Sequence, residues 1–262
     1  TCVDPCFYGE FVGDEEKGDK ALKNVRFVES EKKGDGCLHV WSKPDTSERI
    51  SDRYVVSIDP GGVSDQSDPS SIKVADRYAM MDGGIPEIVA EWHGHIELDL
   101  LVWKGAQIAT AYSGALLVIE SNTLETDGTE GDNFEYILDE IRGYYDNLYY
   151  RTSSDQIKKG MPVRYGFHTN PKTKPMVINF LKSAMRSGLY IERSTDTTFE
   201  FDLYELKENG VEMGAVEGNH DDRVMSTAIL IYVCYKWQEP KRIVQNENRF
   251  LNKTKIVSEA SI

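Results

Sequence analysis

The chain is poor in cysteine, in positive charge and in long apolar runs, and each shortage excludes something. Its four cysteines (Cys2, Cys6, Cys37 and Cys234) lack a zinc-ribbon rhythm, because no second pair follows Cys2 and Cys6. They read as reduced, unlinked thiols under cytosolic conditions. No apolar run reaches 18 residues, so no membrane span is indicated. No basic-then-apolar signal segment opens the chain, and its first residue is Thr1 rather than Met. That pattern suggests a piece of something longer. Lys and Arg number 30 against 44 Asp and Glu, for a net charge of −14. Such a balance argues against a protein that coats nucleic acid by bulk electrostatics, though not against a nuclease whose partner holds the substrate.

What is present is ordinary for a globular protein: 40% apolar residues, with 14 Tyr and 9 Phe in 262 residues. That length suits one large domain or two small ones around a substantial core. Charge is uneven along the chain. Nine Lys and Arg between Arg151 and Arg193 face only Asp155 and Glu192. This basic zone suits either a solvated helix face or a groove for DNA.

Residues 1–35 hold the charged runs Gly13 to Lys20 and Glu29 to Asp35, which read as a linker or arm with little core of its own. Gly13 to Gly18 has the spacing of a phosphate loop, but Asp19-Lys20 stands where Lys-Ser/Thr is required, so there is no Walker A site. The folded domain is expected over 36–239, and residues 240–262 read as a polar C-terminal tail.

Within the domain, Cys37 to Trp41 predicts a short strand. Tyr54-Val55-Val56-Ser57-Ile58 predicts a buried one, ending on Asp59 before Pro60-Gly61-Gly62. Ser71 to Asp76 alternates as a strand, a turn follows at Met81 to Gly84, and Glu87 to His95 reads as the next strand. Short connections make these an antiparallel meander. Leu98 to Ser113 has helical period and Gly114 ends it. Ala115 to Ile119 is a second buried strand that ends on an acid, Glu120. Helices are predicted over Phe134–Tyr145 and Lys174–Ser187, and extended segments at Leu189–Glu192 and around Phe199–Leu206. Finally, Asn219 is placed to cap an apolar helix over Val224–Tyr235, with Asp221 and Asp222 in its first turn.

Asp59, Glu120 and the Asp221/Asp222 pair therefore stand at strand ends and at the mouth of a buried helix. Open α/β sheets place their sites at such strand ends. Buried carboxylates cost several kcal/mol (about that order) unless paired or metal-bound. Hard divalent ions such as Mg²⁺ and Mn²⁺ prefer such oxygens, and two ions ~3.5–4 Å apart can drive phosphodiester hydrolysis. Turn formation by Asp59 and helix-dipole stabilisation by Asp221 or Asp222 are the alternatives for each residue alone.

The order of these pieces resembles the ribonuclease H-like nucleases, and in detail the C-terminal nuclease domain of the phage terminase large subunit. The resemblance rests on Tyr54 to Gly62 with Asp68-Pro69-Ser70-Ser71, on Val118-Ile119-Glu120-Ser121-Asn122, and on Gly218-Asn219-His220-Asp221-Asp222-Arg223-Val224-Met225-Ser226-Thr227-Ala228. It spans about residues 36 to 237. The fold it implies is α/β, a ribonuclease H-like mixed central sheet with a three-strand antiparallel meander plus parallel strands, flanked by helices.

The implied activity is a metal-dependent endonuclease that cleaves concatemeric viral double-stranded DNA during packaging, with two Mg²⁺ or Mn²⁺ ions. Asp59 would bridge the ions, Glu120 would hold one, and Asp222, with Asp221 close by, the other. Asp68 and His220 would be auxiliary, and His168, Lys172 and Lys174 would meet the DNA backbone. The implied partners are the terminase ATPase domain, the portal and the small terminase subunit, in the cytoplasm of a bacterial host. Lacking a Walker A site, the chain reads as an excised nuclease domain of a phage or prophage protein. Another ribonuclease H-like nuclease of resolvase or transposase type, an actin-like phosphate-binding domain and a non-catalytic docking domain are the competing readings.

Overall fold

A computed structural model describes residues 2–61, 68–121, 131–206, 213–216 and 220–243. In chain order the elements are β1 (Phe7–Val12), β2 (Arg26–Glu29), β3 (Leu38–Val40), β4 (Ile50–Ser51), β5 (Tyr54–Asp59), β6 (Ser70–Asp76) and β7 (Glu87–Gly94). Next come α1 (Leu98–Ala111), β8 (Leu116–Ile119), α2 (Gly131–Arg142), α3 (Ser154–Lys158), α4 (Thr173–Arg186) and α5 (Thr195–Asp202). The chain continues with β9 (Tyr204–Leu206), β10 (Met213–Ala215), α6 (Asp222–Lys236) and β11 (Lys241–Arg242).

Seven strands form one sheet in the order β2-β1-β3-β7-β6-β5-β8. The expected meander β5-β6-β7 is antiparallel, and β8 joins β5 in parallel after the α1 crossover. Helices cover both faces, as a mixed sheet with a helical crossover requires. Side chains alternate between those faces. Val56 and Ile58 of β5 and Leu117 and Ile119 of β8 pack on the α1 side. Val55, Leu116 and Val118 pack on the other side with α4 and α6. Apolar on both faces, β5 and β8 have the continuous hydrophobic runs that buried strands show. Gly105 lets α1 come this close: a Cβ there would stand 2.3 Å from Ile58 Cδ1. Helix α6 is buried nearly throughout, from Asp222 to Ile231 without a break.

Two expectations change. Residues 1–35 do not read as an arm in three dimensions: β1 and β2 extend the main sheet, with β1 antiparallel to both β2 and β3. Phe11 and Ala21 lie in the core, and the Phe11 ring meets the Tyr112 ring edge-on. The charged loops around them hid these two short strands. The segment around Phe199 is not extended either. It is helix α5, started by Ser194, whose hydroxyl accepts from the Thr197 amide, and only Tyr204–Leu206 is a strand. Ser at an N-cap outweighs the strand preference of Thr and Phe. In the expected tail, β11 pairs with β4, and 244–262 lie outside the described residues.

Candidate functional site

Alternation decides where the strand-end acids project. Asp59 follows Val55 and Ser57 on β5, and Glu120 follows Leu116 and Val118 just past β8, so both face α6 rather than α1. The parallel pairing sets Ile58 beside Ile119, and the Glu120 amide donates to the Ile58 carbonyl at 2.9 Å. The two acids are thus side by side at the carboxyl ends of adjacent parallel strands. Helix α6 reaches them through a serine pair. Ser71, which lies opposite Asp59 on β6, meets Ser226 Oγ at 2.8 Å. Asp222 is one helical turn before Ser226 and so heads into the same corner.

The turn after Asp59 is equally constrained. The Gly61 amide donates to Ser70 Oγ at 2.9 Å, and a Cβ on Gly61 would lie 2.2 Å from the Asp68 carbonyl oxygen. Only glycine allows this close return, which brings Asp68 back towards the site. Residues 62–67 lie outside the described residues.

Electrostatically the corner is dominated by one sign. Burial, and then Glu120, Asp222 and Asp221, hold the Asp59 carboxyl well above the usual carboxylate range, with a partial offset from Lys174. Asp59 keeps some accessible surface, yet its carboxylate is hemmed in by protein and by these acids. Burial, then Asp68, Glu200 and Asp221, push Asp222 up to about 8. Asp222 is 7% exposed, and its Oδ2 has no hydrogen-bond partner among the described residues. Glu120 is buried and accepts a hydrogen bond from Thr169 Oγ1.

The remaining expected residues divide. Lys174, on the first turn of α4, reaches Asp221 Oδ2 at 3.5 Å and so belongs to the corner. His220 Nδ1 lies 2.9 Å from Asp68 Oδ1 on the exposed rim. His168 is half-buried just before α4, and its carbonyl accepts from Thr173 Oγ1. Lys172 is exposed at the N-cap of α4. Asn219 lies outside the described residues; Asp221 occupies the N-cap of α6 and makes no side-chain cap there. Sequence reasoning gave no role to Thr169, Arg223 or Glu200. Arg223 alone carried a signal, its place directly after the two acids.

Chemically, the donor set is all carboxylate oxygen, as Mg²⁺ and Mn²⁺ prefer. Among the described residues, no three His, Cys, Asp or Glu side chains are gathered closely enough to hold an ion as they stand.

In comparison with solved structures, this architecture is similar to the large terminase nuclease from the thermophilic phage G20c with bound magnesium. The TM-score is 0.54 at 19% identity, over 77% of this chain and 89% of that one. The chain has the fold of a large terminase nuclease. The Thermus phage P74-26 large terminase nuclease domain also aligns, at a TM-score of 0.48 and 17% identity, over 89% of this chain and 95% of that one. No family model and no curated protein matches. No helix among the described residues is long and apolar enough to cross a membrane.

Proposed function

We propose that the chain is a divalent-metal-dependent endonuclease domain that cuts concatemeric viral double-stranded DNA during genome packaging. The observation that carries this reading is the buried Asp222 carboxylate, with an unpartnered Oδ2, in the corner it shares with Asp59 and Glu120. Buried charge of one sign is costly, and a functional site is the usual reason for keeping it. Asp59 would lie between two ions, with Glu120 on one and Asp222 on the other, Asp221 alongside. When bound, Mg²⁺ or Mn²⁺ supplies an activated water and stabilises the leaving oxygen of a phosphodiester.

The chain's own residues do the rest. Thr169 holds Glu120 in one orientation. Lys174 supplies positive charge beside Asp221, and Lys172 and His168, by the start of α4, are suited to a DNA phosphate. His220 and Asp68 form a polar rim that can orient water or phosphate. With a net charge of −14, tight DNA binding falls to other parts of a packaging motor: the ATPase domain, the portal and the small terminase subunit. The setting is the bacterial cytoplasm.

Plasmid nicking in Mn²⁺, Mg²⁺ or EDTA tests the reading, with Asp59→Asn and Asp222→Asn beside the parent chain. Metal-dependent cleavage lost in both variants supports it. Equal cleavage by the variants removes these acids from the chemistry. If the parent neither cuts DNA nor binds Mn²⁺ by calorimetry, a docking domain replaces the nuclease.

A further inference from the structure

The face of the sheet that carries the acids also carries a second buried charged cluster, with its charges paired. Lys73 on β6 and Glu91 on β7 are directly opposite, 0% and 1% exposed, with Nζ 2.6 Å from Oε2. Arg223 completes the set. Its Nε donates to Glu91 Oε1 at 2.8 Å, Nη1 to Glu200 Oε1 at 2.8 Å, and Nη2 to Asp35 Oδ1 at 3.1 Å. Apolar residues of similar volume often serve stability as well as a buried ion network does. Stability is therefore a poor account of this one.

Its geometry offers another. The first amides of a helix need acceptors from outside the helix. At the start of α6, Asp221 supplies no side-chain cap. The Arg223 amide donates instead to Glu200 Oε2, at 3.0 Å, from the neighbouring helix α5. Glu200 thus grips Arg223 twice, one oxygen on the backbone and one on the guanidinium. The Arg223 amide is capped from another helix, and neither Asp221 nor Asp222 spends its carboxylate on that amide. Two consecutive acids can then head α6 into the acidic corner, with Lys174 beside the first.

We propose that Glu200 and Arg223 form a cap supplied from α5, which positions Asp222 for a divalent ion. Both are positioning residues, one step removed from the ion. The proposal rests on the metal-site reading above.

Mn²⁺ calorimetry on the full chain, with thermal melts run alongside, tests it. Glu200→Leu removes both acceptors and should weaken Mn²⁺ binding ~10–100-fold, the usual cost of losing a partner that orients a ligand. Glu200→Gln keeps one carbonyl acceptor and should recover most of the affinity. Arg53→Met is the stability control. It breaks the ion pairs of Arg53 with Asp45 and Asp76 next to the other end of β5, and should lower the melting temperature with Mn²⁺ affinity unchanged. If Glu200→Leu does not fold, Arg223→Lys, which cannot fork between Glu91 and Glu200, should show the loss of affinity. Parental affinity in a folded Glu200→Leu, or in a folded Arg223→Lys where Glu200→Leu fails, overturns the proposal alone. So does an equal loss in Arg53→Met. No Mn²⁺ binding by the parent overturns the metal reading and the proposal together.

Discussion

Under α6, one face of the sheet holds two charged clusters built on opposite principles. Towards β6 and β7, Lys73 and Arg223 are matched by Glu91 and Glu200 through short, directed bonds. Towards β5 and β8, Asp59, Glu120 and Asp222 share one sign, and Lys174 offsets them only in part. Asp222 and Arg223 are consecutive and belong one to each. At similar depth, one carboxyl is therefore lowered and the other raised. The charges of Lys73 and Arg223 hold Glu91 well below its ordinary range against the effect of burial, whereas Asp222 rises to about 8. Pairing, more than burial, decides the direction of each shift here.

The largest effect should come from breaking the paired side. Glu91→Leu leaves Lys73 buried with its nearest remaining carboxylate, Glu192, at 3.8 Å. Losing one partner of a buried pair costs ~3–5 kcal/mol, a loss that urea unfolding would register. If Glu91→Leu is as stable as the parent, the contrast between the clusters collapses.

Acid titration sharpens the comparison, because the two sides have opposite signs. Asp222 is raised in the folded state, so the folded chain binds more protons than the unfolded one from the ordinary carboxylate range up to about 8. Without divalent ions its contribution to stability should fall as pH rises through that window, by on the order of a few kcal/mol. Asp222→Asn should flatten this slope. Glu91 is lowered, so its contribution is present above the ordinary Glu range and lost on acidification below it. Melting temperatures across pH in EDTA, parent against Asp222→Asn, decide the sign.

Divalent ions should act on one side only. Mn²⁺ at a hundred times its dissociation constant should stabilise the parent by ~2.7 kcal/mol and leave a doubly substituted Asp59→Asn, Asp222→Asn chain unchanged. The smallest effect belongs to the rim. The His220–Asp68 contact is solvent-exposed, at 48% and 72%, and His220→Ala should change stability by less than ~1 kcal/mol.

Much of the acidic side was legible in the sequence. An apolar run that ends on an acid, before Pro-Gly in β5 and before Ser-Asn in β8, announces both the strands and their carboxylates. The paired side was not legible. Alternation in Ser71 to Asp76 marks two faces, but it cannot say whether the polar face meets water or another charged layer. Lys73 sits fully buried against Glu91 for that reason. Helix α5 was missed because its Thr and Phe residues favour strands locally, and with it went Glu200, whose hydrogen bonds go to a residue 23 positions away. Strands β1 and β2 were hidden by the charged loops around them.

Those two strands also determine how the molecule ends sideways. The sheet closes on β2, four residues long, with Arg26 at one end and Glu29 at the other. Short, charged outer strands discourage further strand addition. Removing residues 1–35, as composition alone would recommend, strips β1 from β3 and bares its Leu38–Val40 ladder. The remainder would keep every acid of the corner and yet offer its own copies an unguarded seam to grow on.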